Sequence, residues 1–251
     1  MPFDLAAARQ ELPGRRIEWF QTTDSTMTVA SRLAREGCPS GTVVGADQQT
    51  AGIGRQGHSW HSEPEAGLYV SIVLRLALGP NALPVMMLAL GLAARQAIAD
   101  VTGLSPDLRW PNDVLLDGKK CAGILAQFEA GAVIAGIGIN VSHSSFPSGI
   151  AELATSLKLA GAGQVSRELL LAALLRGIDE SCRILSGEGA SKILAMFEQA
   201  SSYTRGRRVQ VDLTERVVRG LTCGLNADGF LMIDEDSGRR TTILAGGVRP
   251  E

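Results

Sequence analysis

Residues 108–127 read LRWPNDVLLDGKKCAGILAQ. Trp110-Pro111-Asn112-Asp113 sets a rigid turn between two short apolar strands, one at Leu108 and one over 114–116. The turn holds an amide and a carboxylate side by side. Lys119 and Lys120 follow, immediately before the apolar stretch CAGILAQ (121–127), with a strand expected over 123–128. Alternation along a strand sends Lys120 to one face and Cys121 to the other. Read locally, the lysine pair also suits a solvated hairpin tip, and Asn112 and Asp113 also suit plain turn formers. After turn residues 129–131, AVIAGIGINV (132–141) is a glycine-spaced strand carrying Asn140, and the pair reads as a meander. Glycines spaced in this way either bare the backbone to a ligand or let a neighbouring backbone pack closely.

Outward from this hairpin the periods are regular. Residues 17–20 read as a strand, and Asp24 and Ser25 as N-cap residues of a helix over 25–36 ended by Gly37 and Pro39. Strands are expected at 42–46 and 68–76. A core helix is expected over 84–101, with proline in its first turn and Gly103 just past its end. Residues 142–149 are Ser/Pro/Gly-rich and read as a loop; 166–185 and 190–201 are helical. Beyond Tyr203 the period becomes two, with strands at 209–213, 217–226, 230–234 and 241–244. Asp-Leu-Thr-Glu, Ala-Asp-Gly and Asp-Ser-Gly turns separate them. The expected fold class is α+β: a mixed or antiparallel sheet flanked by helices over 1–202, then a small all-β barrel over 203–251.

Composition bounds the function. In 251 residues, 45% are hydrophobic and 20% charged, which fits a globular chain rather than a disordered one. A net charge of −2 excludes bulk electrostatic attraction to nucleic acid or membrane. No apolar run comes near the roughly 18 residues of a membrane span. The first residues, MPFDLAAARQELPGRR, lack the features of a secretory signal. Cys38, Cys121, Cys182 and Cys223 form no CxxC pair and read as reduced thiols; His58 and His61 have no nearby cysteine to complete a zinc site. The expected compartment is the cytoplasm, with no membrane partner.

The polar loop 48–60, QQTAGIGRQGHSW, satisfies G-x-G-x-x-G with Gly52, Gly54 and Gly57. A dinucleotide fold requires a helix to open at the last glycine, and HSWHSEPEAG cannot open one. What remains is a loop whose amides can approach an anion, with Arg55 able to fork onto a phosphate or carboxylate. Trp60 suits stacking on a base and equally suits a core position. Ser25 and Thr26 serve as helix caps or as donors to a polar ligand. No G-x-S-x-G elbow occurs.

In order, TTDSTM, DQQTAGIGRQGHSW, RWPNDVLLDGKKCAGIL and GIGIN, followed by a small β unit, resemble the biotin protein ligases. The likeness covers residues 22–141 by motif and the remainder by layout. It implies a catalytic fold like that of class II aminoacyl-tRNA synthetases and lipoate ligases. The implied reaction has two steps: biotin and ATP, with Mg²⁺, form biotinyl-5′-AMP, and the acyl group passes to a lysine of a carboxylase's biotin carboxyl carrier domain. A lipoate or octanoate ligase of the same fold, or a biotin or nucleotide sensor without catalysis, are the alternatives.

The resemblance implies roles for single residues. Ser25, Thr26, Met27 and Gln49 fall in the biotin pocket, and Ile53, Gly54 and Arg55 in the loop that closes over it. Lys120 falls at the biotin carboxylate and α-phosphate, so that Lys120 and Arg55 are the catalytic cations, with Asp113 as general base for the acceptor lysine. Gly52, Gly57, Trp60, Asn112 and Asn140 fall on the nucleotide side. No residue is assigned to the metal. The sequence departs from the family pattern at Ile53 and Arg109, where arginine and lysine are usual, and at Met27, where asparagine is usual. Only 24 residues precede Ser25, fewer than a DNA-binding domain needs. The expectation is a monofunctional ligase, monomeric or weakly dimeric, that does not bind DNA.

Overall fold

The computed structural model describes residues 2–213 and 216–251. A short helix that the periodicity did not announce, α1 (Leu5–Glu11), is capped by the Asp4 carboxylate, which accepts from Ala7 N. It precedes β1 (Ile17–Thr23), α2 (Thr26–Arg35), β2 (Thr42–Gln49) and β3 (Gly67–Leu74). Then come α3 (Leu83–Thr102), β4 (Asp107–Arg109), β5 (Asp113–Leu116), β6 (Lys119–Glu129) and β7 (Ala132–Asn140), followed by α4 (Arg167–Gly187) and α5 (Ala190–Ala200). The seven strands make one sheet in the order β1-β2-β3-β7-β6-β5-β4. Only β1 and β2 run parallel, so the sheet is mixed.

β3 is buried throughout and mostly apolar because both of its faces are covered. Leu68, Val70, Ile72 and Leu74 join a large core with Leu88 and Leu90 of α3 and Leu171 and Leu174 of α4. Val73, on the other face, joins a smaller core with Met27 and Ala30 of α2. α3 opens with Pro84 in its first turn and ends at Gly103, whose φ of +72° is the left-handed cap that glycine adopts without strain. By length and apolarity this segment is able to cross a membrane, contrary to the sequence expectation. Its apolar side chains are instead spent on the core, where Val85, Met86, Leu88, Ala89 and Leu90 are buried.

The second sheet comprises β8 (Arg205–Asp212), β9 (Val217–Leu225), β10 (Leu231–Glu235), β11 (Arg240–Ile243) and β12 (Val248–Pro250), all antiparallel, in the order β11-β10-β9-β8-β12. The small all-β unit expected here is an antiparallel sheet of five strands, in which β11 and β12 are not paired among the described residues. Strand β12, absent from the sequence reading, pairs Val248 with Val211 of β8. Thr214 and Glu215 of the expected Asp-Leu-Thr-Glu turn lie outside the described residues. The two sheets share one apolar core. Trp110 Nε1 donates to Gly229 O at 2.9 Å, which ties the Trp-Pro-Asn-Asp turn to the connection between β9 and β10, and Ser201 Oγ, just past α5, donates to Leu108 O at 2.6 Å.

Candidate active site

On the sheet face toward α2, strand register sets Gly123 of β6 opposite Gly138 of β7, with Gly136 two residues further along β7. A cavity of about 50 Å³ opens over these positions. Thr26, Met27, Gln49, Ile53, Gly54, Arg55, Trp60, Asn112, Lys120 and Leu125 wall it. A Cβ at Gly138 would lie 2.4 Å from the Trp60 indole, one at Gly123 2.8 Å from it, and one at Gly136 2.6 Å from Met27 Sδ. The glycine spacing therefore bares the sheet so that flat or apolar groups can lie on it.

One end of the cavity is polar and uncharged. The first turn of α2 points Thr26 N and Oγ1 at Gln49 Oε1, at 2.9 and 3.1 Å. Thr26 Oγ1 also meets Ser71 Oγ at 2.8 Å, and Gln49 Nε2 donates to Ser62 Oγ at 3.1 Å. Ser25 is the N-cap by backbone conformation, yet its hydroxyl caps nothing. Ser25 Oγ and Trp60 Nε1 are buried without a hydrogen-bond partner among the described residues. Each such group costs about 1–3 kcal/mol unless a ligand or water completes it.

The other end is cationic. Arg55 Nη1 donates to Asn112 Oδ1 at 3.2 Å, and Asn112 is itself tied to Ile124 O through Nδ2 at 3.0 Å. Burial pulls the Arg55 guanidinium below its ordinary pKa while the charge of Asp113 pulls it back up; it stays a cation. Lys120 Nζ sits 5.4 Å from the Trp60 ring centre and 2.5 Å from Asp113 Oδ1, off the hydrogen-bonding direction, so the contact with the carboxylate is ionic. Arg109 forks onto the other oxygen, Asp113 Oδ2, at 2.7 and 3.2 Å. The glycine loop over this end is itself folded. Gly54 N donates to His58 O at 2.7 Å and Trp60 N to Gly52 O at 2.8 Å, with one 3-10 turn, Arg55–Gly57, at its tip.

The fold that carries this cavity has known counterparts. The family model described as biotin/lipoate A/B protein ligase matches residues 19–144. The chain belongs to that family. Over 98% of its length it is 33% identical to the biotin--[acetyl-CoA-carboxylase] ligase of Mycobacterium tuberculosis, covering 95% of that protein. The bifunctional ligase/repressor BirA of Bacillus subtilis is 31% identical over 92% of this chain and 73% of its own. Among solved structures, the Aquifex aeolicus biotin protein ligase in complex with biotin and ATP superposes with a TM-score of 0.80 at 30% identity, covering 94% of this chain and 99% of that one.

Within this biotin/lipoate ligase fold the sequence-named residues divide. Thr26, Met27, Gln49, Ile53, Gly54, Arg55, Trp60, Asn112 and Lys120 converge on the cavity wall. Asp113 stands behind Lys120. Gly52 is not on the wall; it supports the loop, where a Cβ would meet Trp60 O at 2.7 Å. Gly57, with φ +77°, closes the exposed tip. Asn140 points elsewhere: it is buried, and its Nδ2 donates to Thr155 O at 3.0 Å. Ser62 and Ser71 escaped the sequence reading. Ser71 had a signal, a small hydroxyl residue in a largely apolar strand on the face opposite Leu68, Val70 and Ile72. Among the described wall residues the side-chain oxygens are those of Thr26, Gln49 and Asn112, with the Asp113 carboxylate just behind. That set fits a magnesium ion carried mainly by nucleotide phosphates and water, with one carboxylate in reach.

Proposed function

We propose that this chain activates biotin with ATP as biotinyl-5′-AMP and transfers the acyl group to a lysine of a biotin carboxyl carrier domain. The observation that carries the reading is the order of chemistry along one cavity. Donors and acceptors of Thr26 and Gln49, next to the unpartnered Ser25 hydroxyl, suit a ureido ring; Met27, Val70 and Leu125 beside Gly136 suit an aliphatic chain; Lys120 and Arg55 suit a carboxylate meeting a phosphate. The relatives' names and the biotin and ATP of the Aquifex complex support it.

In the first step a biotin carboxylate oxygen bonds to the α-phosphorus of ATP and the bond to pyrophosphate breaks. Two anions must approach, so fixed cations and N–H donors are needed where charge develops. Lys120 and Arg55 supply two cations, the loop amides supply donors, and bound magnesium neutralises charge on the phosphates. The mixed anhydride is water-labile; the hairpin 52–60, laid over the floor by Trp60, excludes water while the acceptor arrives. In the second step the acceptor amine attacks the acyl carbon and AMP leaves. Asp113 is the residue we assign to the amine's proton: as Lys120 turns from Asp113 Oδ1 toward the phosphate, that oxygen is released to accept it, while Arg109 keeps the carboxylate in place. Incubation of an apo carrier domain with biotin, ATP and magnesium should yield a streptavidin-reactive product. Labelling by lipoate instead, or binding without pyrophosphate release, would establish an alternative reading.

A further inference from the structure

The pairing of Gly67 with Asn140 at one end of β3 and β7 sets the segment before β3 beside the segment after β7. Val141 N and Ser142 N both donate to Ala66 O, at 3.0 and 2.7 Å. This brings His61, Glu63 and His143 together, and one ligand atom from each lies within 4.8 Å of the others. His143 is fully buried, and its Nδ1 has no hydrogen-bond partner among the described residues. Its other nitrogen is accounted for. Tyr69 donates its single hydroxyl hydrogen to Glu63 O at 3.0 Å, so at 3.2 Å from His143 Nε2 the phenolic oxygen can only accept. Nε2 therefore carries the proton, and Nδ1 presents a buried lone pair. Phe146, stacked at 5.1 Å, holds the ring in this pose.

A lone pair on a buried imidazole, fixed by a hydrogen bond from the opposite nitrogen and faced by a second imidazole and a carboxylate, is a metal-ligand arrangement with its supporting shell. We propose that His61, Glu63 and His143 bind a divalent transition-metal ion of the zinc type, at a site separate from the substrate cavity. Two nitrogens and one oxygen suit zinc, cobalt or nickel; magnesium and calcium take oxygen ligands. Bonds of about 2.1 Å in tetrahedral geometry set ligands about 3.4 Å apart. His61 and Glu63 are exposed, so small rotations of these two close the site and leave a position for water. The ion would clasp the segment leaving Trp60 to the loop leaving β7. The inference does not depend on the ligase reading, since its test involves neither biotin nor ATP.

The test is titration of the chelator-treated full chain with Co²⁺, followed by visible d–d absorption, then displacement by Zn²⁺. One equivalent should bind at micromolar concentration with tetrahedral bands free of thiolate charge transfer. His61→Ala and Glu63→Gln, both at exposed positions, should each abolish stoichiometric binding, and His58→Ala should leave it intact. Tyr69→Phe should weaken affinity about 10- to 100-fold through the lost support of His143. Circular dichroism checks the fold of each variant. Absence of binding to the wild-type chain, binding retained in the His61→Ala/Glu63→Gln double variant, or sulfur-to-cobalt bands from a cysteine would each overturn the assignment.

Discussion

Lys120→Ala separates catalysis from stability. In the folded chain the lysine has two contacts to lose. Its ion pair with Asp113 is partly exposed, and such pairs contribute about 0–1 kcal/mol. Its position 5.4 Å from the Trp60 ring centre adds about 0.5–1 kcal/mol of cation–π attraction. Asp113 does not become an orphan, because Arg109 still forks onto it. The unfolding free energy should therefore fall by no more than about 2 kcal/mol. Under the proposed role the adenylation transition state would lose a fixed cation where two negative groups meet, and removal of one preorganised donor costs about 2.7–4 kcal/mol, or 10²- to 10³-fold in rate. Single-turnover pyrophosphate release at saturating biotin and ATP reads the second quantity, and urea unfolding reads the first. An adenylation rate within a few-fold of wild type would refute the catalytic role. A stability loss well above 2 kcal/mol would show that the lysine's work is structural.

Trp60→Ala should raise the ATP requirement more than the biotin requirement. Gly138→Ala should do the same without touching Trp60 itself, since its Cβ would lie 2.4 Å from the indole and evict the ring. Steady-state titrations of both and of the double variant check this: additive effects would mean that the glycine and the ring do not act together. Trp110→Phe removes the donor to Gly229 O between the two sheets and leaves a buried carbonyl unpaired, which should cost about 1–3 kcal/mol in urea unfolding; no change would mean that the C-terminal sheet is not anchored there. The carboxyl of Glu235 is held down to about 2 by hydrogen bonds from Arg216 and then Thr241. A lowered carboxylate pKa stabilises the fold above its ordinary value near 4.5, and that contribution is lost as pH falls from there toward 2. Unfolding followed across this window should show a shallower acid loss in Glu235→Gln, and parallel curves would count against the pairing.

Much of the cavity was legible because it is built from short motifs whose chemistry is local. The glycine-spaced strand announced a bared backbone, but alternation alone sets Lys120 and Gly123 on opposite faces; the register shift of β6 against Val114 and Leu115 is what brings both to the cavity, and spacing does not announce it. The Pro84 and Gly103 punctuation bounded α3 closely. The misses are of another kind. α1 and β12 carry weak patterns and owe their form to packing, α1 on α4 and β12 on β8. Closure of the C-terminal strands cannot be read from spacing, because strand count and turn length fix neighbours and leave the outer pair undecided. Asn140 looked like a ligand contact from its place at the end of GIGIN, but its amide holds the backbone of Thr155. The reading of His61 sought a partner nearby in sequence, whereas β3–β7 pairing sets the segment after β7, with His143, beside it.

The electrostatics of the cavity show why the global charge misleads about anion binding. The chain carries a net −2, yet at the cationic end Arg55, Lys120 and Arg109 surround the single carboxylate of Asp113. At physiological salt a charge is felt over about 8 Å, so substrate entering there meets this group and little of the distant surface. Asp113 is what makes the cluster tenable before substrate arrives. Without it, partly buried cations would repel one another on a low-dielectric wall and pay desolvation without compensation. With it, Lys120 is held over the Gly123 position, where in the proposed reaction it would exchange one anionic partner for another. Neutralising the carboxylate with Asp113→Asn should therefore misplace Lys120 and slow adenylation as well as transfer, whereas a residue acting only as base would affect transfer alone. Single-turnover measurement of the two half-reactions distinguishes these outcomes, and unchanged adenylation in the variant would confine Asp113 to the second step.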